Sequence, residues 1–396
     1  MKIKIKITSE YLYYYVLVLL LLNNWWGDLR VFPGLYQAFK PLVLGSAIVM
    51  ILVLMFEKSY TFIELAVAFS LIAIGAYTSF LTGSKWTLYS MILVAFAKNI
   101  NIQVAIKIVY RCMSVFILIA VSIFLFQYVF VPSSLLAHKD GTVIKYGMTF
   151  IGANEAARYW IFWFVLFLYV NAEKRIPILK KLLIFTVTIF FYLCTLSDTL
   201  LLILAMSMLV YLGHRTGFRK FVEKYGGYSF VGLWILSLLI LRFENSLIYN
   251  VINKFVTGRL TLGKLGFETY GISMFGQSNL EFFYWMKREN SAFFLVVDNA
   301  YYMMMIQYGT FYLILISFLF LKARKRIDFR SSCCLILYSV IALAENTILS
   351  PTAIFPVIIA ANLSWKAQRE RVSFYECVGF QNNAIRNTAY FTNKSK

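Results

Sequence analysis

The chain has 396 residues, of which 61% are hydrophobic, 18% aromatic and only 14% charged, with a mean hydropathy of +0.72. It lacks the water-facing groups that a soluble domain needs, which excludes an ordinary soluble enzyme and implies an all-α polytopic membrane protein. The net charge of +20 then informs topology rather than nucleic-acid binding, and no nucleic-acid partner is expected.

The N-terminus, MKIKIKITSEYLYYYVLVLLLL, has the basic start of a signal peptide. Its apolar run leads into Asn23-Asn24-Trp25-Trp26 without a small-x-small cleavage site, so it reads as a retained first membrane helix. Crossing a bilayer takes roughly 20 mainly apolar residues, fewer where polar ends snorkel. About twelve such spans are predicted, near 9–27, 41–57, 62–81, 84–98, 112–131, 157–172, 182–196, 198–213, 228–241, 301–321, 331–347 and 351–365. Tyr, Trp and Phe crowd many of their ends, as interfacial belts do.

Lysine and arginine concentrate in alternate connecting segments. Examples are Lys174, Arg175, Lys180 and Lys181; Arg215, Arg219, Lys220 and Lys224; and Lys322, Arg324, Lys325, Arg326 and Arg330. By the positive-inside rule these face the cytoplasm, as do the N-terminus and a tail over 366–396. Two long segments, 132–156 and 242–300, then face outward. The chain reads as one integral membrane domain, 1–396, whose second external loop carries the site. No internal repeat of the kind secondary transporters use is visible.

The second loop holds TGRLTLGKLGFETYGISMFGQ, Thr257 to Gln277, which reads as a short helix opened by Gly258 and Arg259 and ended by Gly271. Lys264 and Glu268 form an i,i+4 charge pair on it. A guanidinium offers a planar fork to phosphate oxygens, and a glycine before a helix lets backbone N–H groups approach an anion. A diphosphate at the bilayer surface suits Arg259 and Gly258; a solvated arginine touching lipid headgroups is the plainer alternative. Asp298, in VVDNAYYMMMIQYG, is either a base of raised pKa or a helix N-cap. Asn154-Glu155 reads as an N-cap with an acidic first turn. Arg158 enters an apolar run and needs a partner, and Glu345, ending a span, is costly unless paired. Asp198 and the pair His138 and Asp140 are weaker candidates.

The cysteines, Cys112, Cys194, Cys333, Cys334 and Cys377, avoid the long outer loops, so a disulfide framework is not expected. No Cys/His cluster has metal-ligand spacing, and neither metal nor cofactor is expected. Walker, HExxH, GxSxG and DxD patterns are absent.

The pattern TGRLTLG…YGISMFGQ followed by DNAYYMMMIQYG resembles the Wzy polysaccharide repeat-unit polymerases, relatives of the O-antigen ligases. Glu345-Asn346 and FIGANEAA also resemble family positions. The resemblance implies a metal-independent glycosyltransferase with a GT-C-like fold. Its substrates would be undecaprenyl-diphosphate-linked oligosaccharide repeat units on the outer face of the bacterial cytoplasmic membrane. Its product would be O-antigen, capsule or exopolysaccharide. A chain-length regulator and a flippase would be partners. Arg259 would bind the diphosphate and Asp298 would activate the acceptor hydroxyl, with Asn299 and Tyr301 beside it. Gly258, Arg158, Asn154 and Glu345 would complete the substrate contacts. Many relatives carry a Ser-Arg pair where this chain has Ser197-Asp198. A flippase and an O-antigen ligase are the alternatives.

Overall fold

The structure, a computed structural model, describes residues 9–365 except 30–32, 57–59, 84, 99, 132–136, 141–142, 151, 173, 175, 198–199, 202–203, 205–206, 208–217, 245, 256–257, 278–284, 289–290 and 295–296. The expected cytoplasmic tail and most of the eighth span lie outside the described residues.

The described chain is dominated by helices. Among the described residues, four stretches are long and apolar enough to cross a membrane: α3 (Phe62–Thr82), α5 (Ile102–Phe130), α7 (Ile178–Thr195) and the run Phe218–Arg242. The last combines α8 (Phe218–Tyr225), a 3-10 turn (Gly226–Tyr228) and α9 (Ser229–Arg242). Their outward faces are apolar: on α7, Ile178, Leu182, Phe185 and Leu193 are all exposed. In water, such a contiguous surface would be an aggregation or interaction site, whereas lipid is its natural solvent. The architecture is that of an all-α membrane protein.

Further helices pack beside these four stretches. They include α1 (Ser9–Asp28), α2 (Pro33–Phe56), α4 (Trp86–Ala95) and α6 (Ala153–Asn171). In the segment 242–300 lie α10 (Leu247–Phe255) and α11 (Arg259–Tyr270), followed by the single turn α12 (Ala300–Met303). The last three are α13 (Thr310–Ala323), α14 (Phe329–Ala344) and α15 (Phe355–Trp365). Two small hairpins interrupt the all-α expectation, β1 (Ala137–Asp140) with β2 (Val143–Tyr146), and β3 (Trp285–Arg288) with β4 (Ser291–Phe294). Both lie in the segments expected to be long loops.

Helix ends follow their capping residues. Thr61 and Glu64 form a capping box on α3, and Gly83 closes that helix in the left-handed region at φ 68°. Asn101 caps α5, which therefore starts ten residues before the expected 112. Lys107 and Arg111 made that start look polar, but both are exposed. The buried stripe Ile102, Ala105, Ile106, Val109, Met113 and Phe116 continues behind them. Asp328 caps α14 through Ser331 N.

The expected span 301–321 is broken. After α12 the chain makes a π turn over Met304–Tyr308 and reverses its backbone at Gly309, φ 99°. The segment 272–277 lies alongside it: Ser273 N donates to Met305 O, Gln277 N to Gln307 O, and Thr310 N and Phe311 N to Ser273 O and Met274 O. Gly309 must be glycine, since a Cβ there would lie 2.6 Å from the carbonyl carbon of Phe275. Thr78 Oγ1 of α3 donates to both strands of this seam, at Phe275 O and Tyr308 O. The motif YGISMFGQ thus serves to clamp a broken helix.

Charges collect at two ends. At one, Arg219 stacks on Phe329, Arg324 on Tyr228, Lys322 on Trp365 and Lys180 on Phe167. This gathers the basic turns before α7, before α9 and between α13 and α14. Helices α6 and α14 run from there to the opposite end, roughly 24 Å for the 16 residues of α14. At that opposite end stand Arg158 and Glu345.

Candidate functional site

Arg259 is the first residue of α11. Gly258, at φ 80°, turns the chain into the helix, and Asn253 Oδ1 accepts from Leu260 N and Thr261 N. The side chain of Asn253 therefore occupies two of the amides that an anion at Gly258 would use. What remains available to an anion at this helix start is the guanidinium. Gly263 and Gly266 let α11 lie directly on Tyr302, Val297 and Ile306, which fixes where Arg259 projects.

It projects inward. Arg259 is 7% exposed. Its Nε lies 3.6 Å from Asp298 Oδ2, and its terminal nitrogen Nη2 lies 3.6 Å from Glu345 Oε1. One guanidinium thus spans two carboxylates from segments that lie far apart in sequence. Beside them Arg158 Nη2 pairs with Glu155 Oε1 at 3.1 Å, one turn apart on α6. Arg158 is close enough to act electrostatically on both Asp298 and Glu345. Asn346 Nδ2 donates to Val297 O at 3.2 Å and stands 3.5 Å from Asp298 Oδ1.

The N-cap expected of Asp298 is supplied by its neighbour. Asn299 caps α12, its Oδ1 accepting from Tyr301 N and Tyr302 N. Asp298 is thereby left to face Arg259. Asn299 is fully buried, and its Nδ2 has no hydrogen-bond partner among the described residues. Tyr301, expected beside the substrate, packs in the core instead, its hydroxyl donating to Ser339 O at 2.9 Å. Asn154 is exposed in the first turn of α6. The N-cap expected there is Gly152, and Asn154 lies outside the ionic cluster. Asp198 and the side chains of His138 and Asp140 lie outside the described residues.

Burial governs protonation. Glu345 lies past the end of α14, in extended conformation. Loss of water pushes its carboxyl from 4.5 up to about 7, against the pull of Arg158 and Arg259 and with help from Asp298 and Glu155. Asp298 is raised for the same reason, with Arg259 and Arg158 opposing. Five charged groups therefore share one site: two guanidiniums and three carboxylates. Among the described residues no three His, Cys, Asp or Glu side chains stand close enough to share a metal ion. The carboxylates are organised around arginine. Next to Arg158 a small polar cavity is lined by Asn24, Trp86, Ser350 and Thr352. Asn24 Nδ2 and Trp25 Nε1 both donate to Thr352 Oγ1, which ties α1 to the turn before α15.

Sequence reasoning brought Arg158, Arg259, Asp298 and Glu345 forward, and these four meet. It passed over Glu155 as a helix-start acid, although its spacing to Arg158 is the signal of an i,i+3 pair. It also passed over Asn253, which caps α11 from the neighbouring α10. No protein-family model, curated protein or solved structure matches this chain.

Proposed function

We propose that the protein is a membrane glycosyltransferase that polymerises oligosaccharide repeat units carried on a lipid diphosphate. The observation that carries this reading is the buried Arg259 held between Asp298 and Glu345, with Arg158 and Glu155 alongside. Transfer of a glycan from a lipid diphosphate needs positive charge where the diphosphate departs and a base where the acceptor hydroxyl loses its proton. Arg259 and Arg158 supply the first. Asp298 supplies the second: its side chain is 30% exposed, so an acceptor can reach it, and its pKa is raised. The carbohydrate C–O bond to phosphate breaks, the new C–O bond forms at the acceptor oxygen, and Asp298 holds the released proton. In this reading the chain has about twelve spans in a GT-C-like arrangement. The ionic cluster faces outward and the basic turns face the cytoplasm, as the positive-inside rule asks. The substrates are undecaprenyl-diphosphate-linked units.

The test is a gene deletion complemented with the wild type or Arg259→Ala and analysed on a surface-glycan gel. The expected result is a long ladder with the wild type and single repeat units or none with the variant. A normal ladder from Arg259→Ala would sink the site assignment. One observation favours a second reading, a flippase for the same lipid-linked units: the helix broken at Met304–Gly309, since transporters build sites on such breaks. In that case the deletion strain would accumulate lipid-linked units on the cytoplasmic face.

A further inference from the structure

We propose that the site takes up one proton for each diphosphate it binds, and that Glu345 receives it. This rests on the reading of the cluster as a diphosphate site. Arg158 and Arg259 face Glu155, Asp298 and Glu345, and among the described residues these are the charged groups acting on Glu345. The carboxylates already outnumber the guanidiniums. An entering diphosphate draws both guanidiniums to itself and leaves the carboxylates without counter-charge. Asp298 and Glu155 have side chains 30% exposed and can be hydrated in compensation. Glu345 is 6% exposed and cannot. An unpaired buried carboxylate is far costlier than a neutral one, so it binds a proton from solvent, and no other bond changes. Burial already pushes this group up to about 7 with both arginines in place. Removing their pull moves it further in the same direction.

The sign follows. The bound state holds a proton that the free state lacks above about pH 7, so diphosphate affinity falls as pH rises through that range. If the bound state is fully protonated, the loss is about fivefold between pH 7 and pH 8. The experiment is calorimetric titration of the purified full-length protein in detergent with farnesyl diphosphate at pH 8, in Tris and in HEPES. The buffers' different ionisation enthalpies report protons taken up. The wild type should take up close to one proton per ligand and Glu345→Gln close to none. Comparing the two removes the ligand's own titration. Binding by the wild type without proton uptake overturns this proposal and leaves the diphosphate site standing. Uptake retained by Glu345→Gln overturns Glu345 as the acceptor. No binding by the wild type overturns both. Should Glu345→Gln fail to fold, the two-buffer comparison and a pH series on the wild type still decide whether a proton is taken up.

Discussion

Replacing Glu345 by glutamine should make the protein more stable at alkaline pH. The folded protein holds the Glu345 carboxyl at about 7, against 4.5 for the unperturbed group. Between those values the folded state binds a proton that the unfolded state does not. Stability from this group is therefore present at low pH, falls as pH rises through the window and is lost above about 7. That interval corresponds to about 3 kcal/mol, and the side chain is only 8% exposed, so solvent screens little of it. Glutamine keeps the shape and carries no charge to desolvate. Thermal unfolding in detergent should show the variant and wild type matched at about pH 4, below the unperturbed value, and the variant higher by several degrees at pH 8. An equal offset at both pH values, or a variant less stable at pH 8, would refute the claim that burial of this charge is what the fold opposes. A stabilising substitution that abolishes polymer formation would mark a charge kept for function at a cost to folding.

Three other outcomes follow from the same geometry. Arg259→Lys should cut long-chain glycan at least about tenfold on a gel, because one ammonium cannot span Asp298 and Glu345 as two guanidinium nitrogens do. Tyr301→Phe removes a buried hydrogen bond to Ser339 O and should lower stability by about 1 kcal/mol with the glycan ladder intact; loss of the ladder at unchanged stability would return Tyr301 to the substrate. Gly309→Ala puts a Cβ against Phe275 in a backbone conformation that alanine rarely adopts, and should cost more than about 1 kcal/mol in thermal or denaturant unfolding.

The sequence made visible what depends on local chemistry. Arg158 and Glu345 stood out because a charge among apolar neighbours is costly without a partner, and Arg259 because it opens a helix after a glycine. Asp298 and Asn299 could not be separated by residue type, since both are good caps; only the backbone decides which one caps, and it chose Asn299. The broken helix was hidden because 301–321 carries no charged residue and reads as one apolar run. Its break is imposed by the hydrogen bonds of 272–277, more than 25 residues earlier in the chain. The start of α5 was missed because Lys107 and Arg111 interrupt the apolar run without interrupting its buried face. Of the two hairpins, Ala137–Tyr146 carries a turn signal in Asp140-Gly141, whereas Trp285–Phe294 is joined through Glu289-Asn290, which is not one of the favoured turn pairs.

The placement of the charges is itself evidence about their purpose. A helix N-terminus carries partial positive charge and a C-terminus partial negative charge, and a matching countercharge there contributes about 0.3–1 kcal/mol. Arg259 is the first residue of α11, a cation at the positive end. Glu345 is the C-cap of α14, an anion at the negative end. Each opposes the helix it belongs to, and each is buried, which opposes it again. Neither position can be explained by the stability of its own helix. They are explained by one another, because the guanidinium lies between the two carboxylates and serves as the solvent that burial removed. A chain that bears these local penalties at Arg259 and Glu345, and brings both to one end of the fold beside Arg158, Glu155 and Asp298, fits the proposed site for an incoming charge.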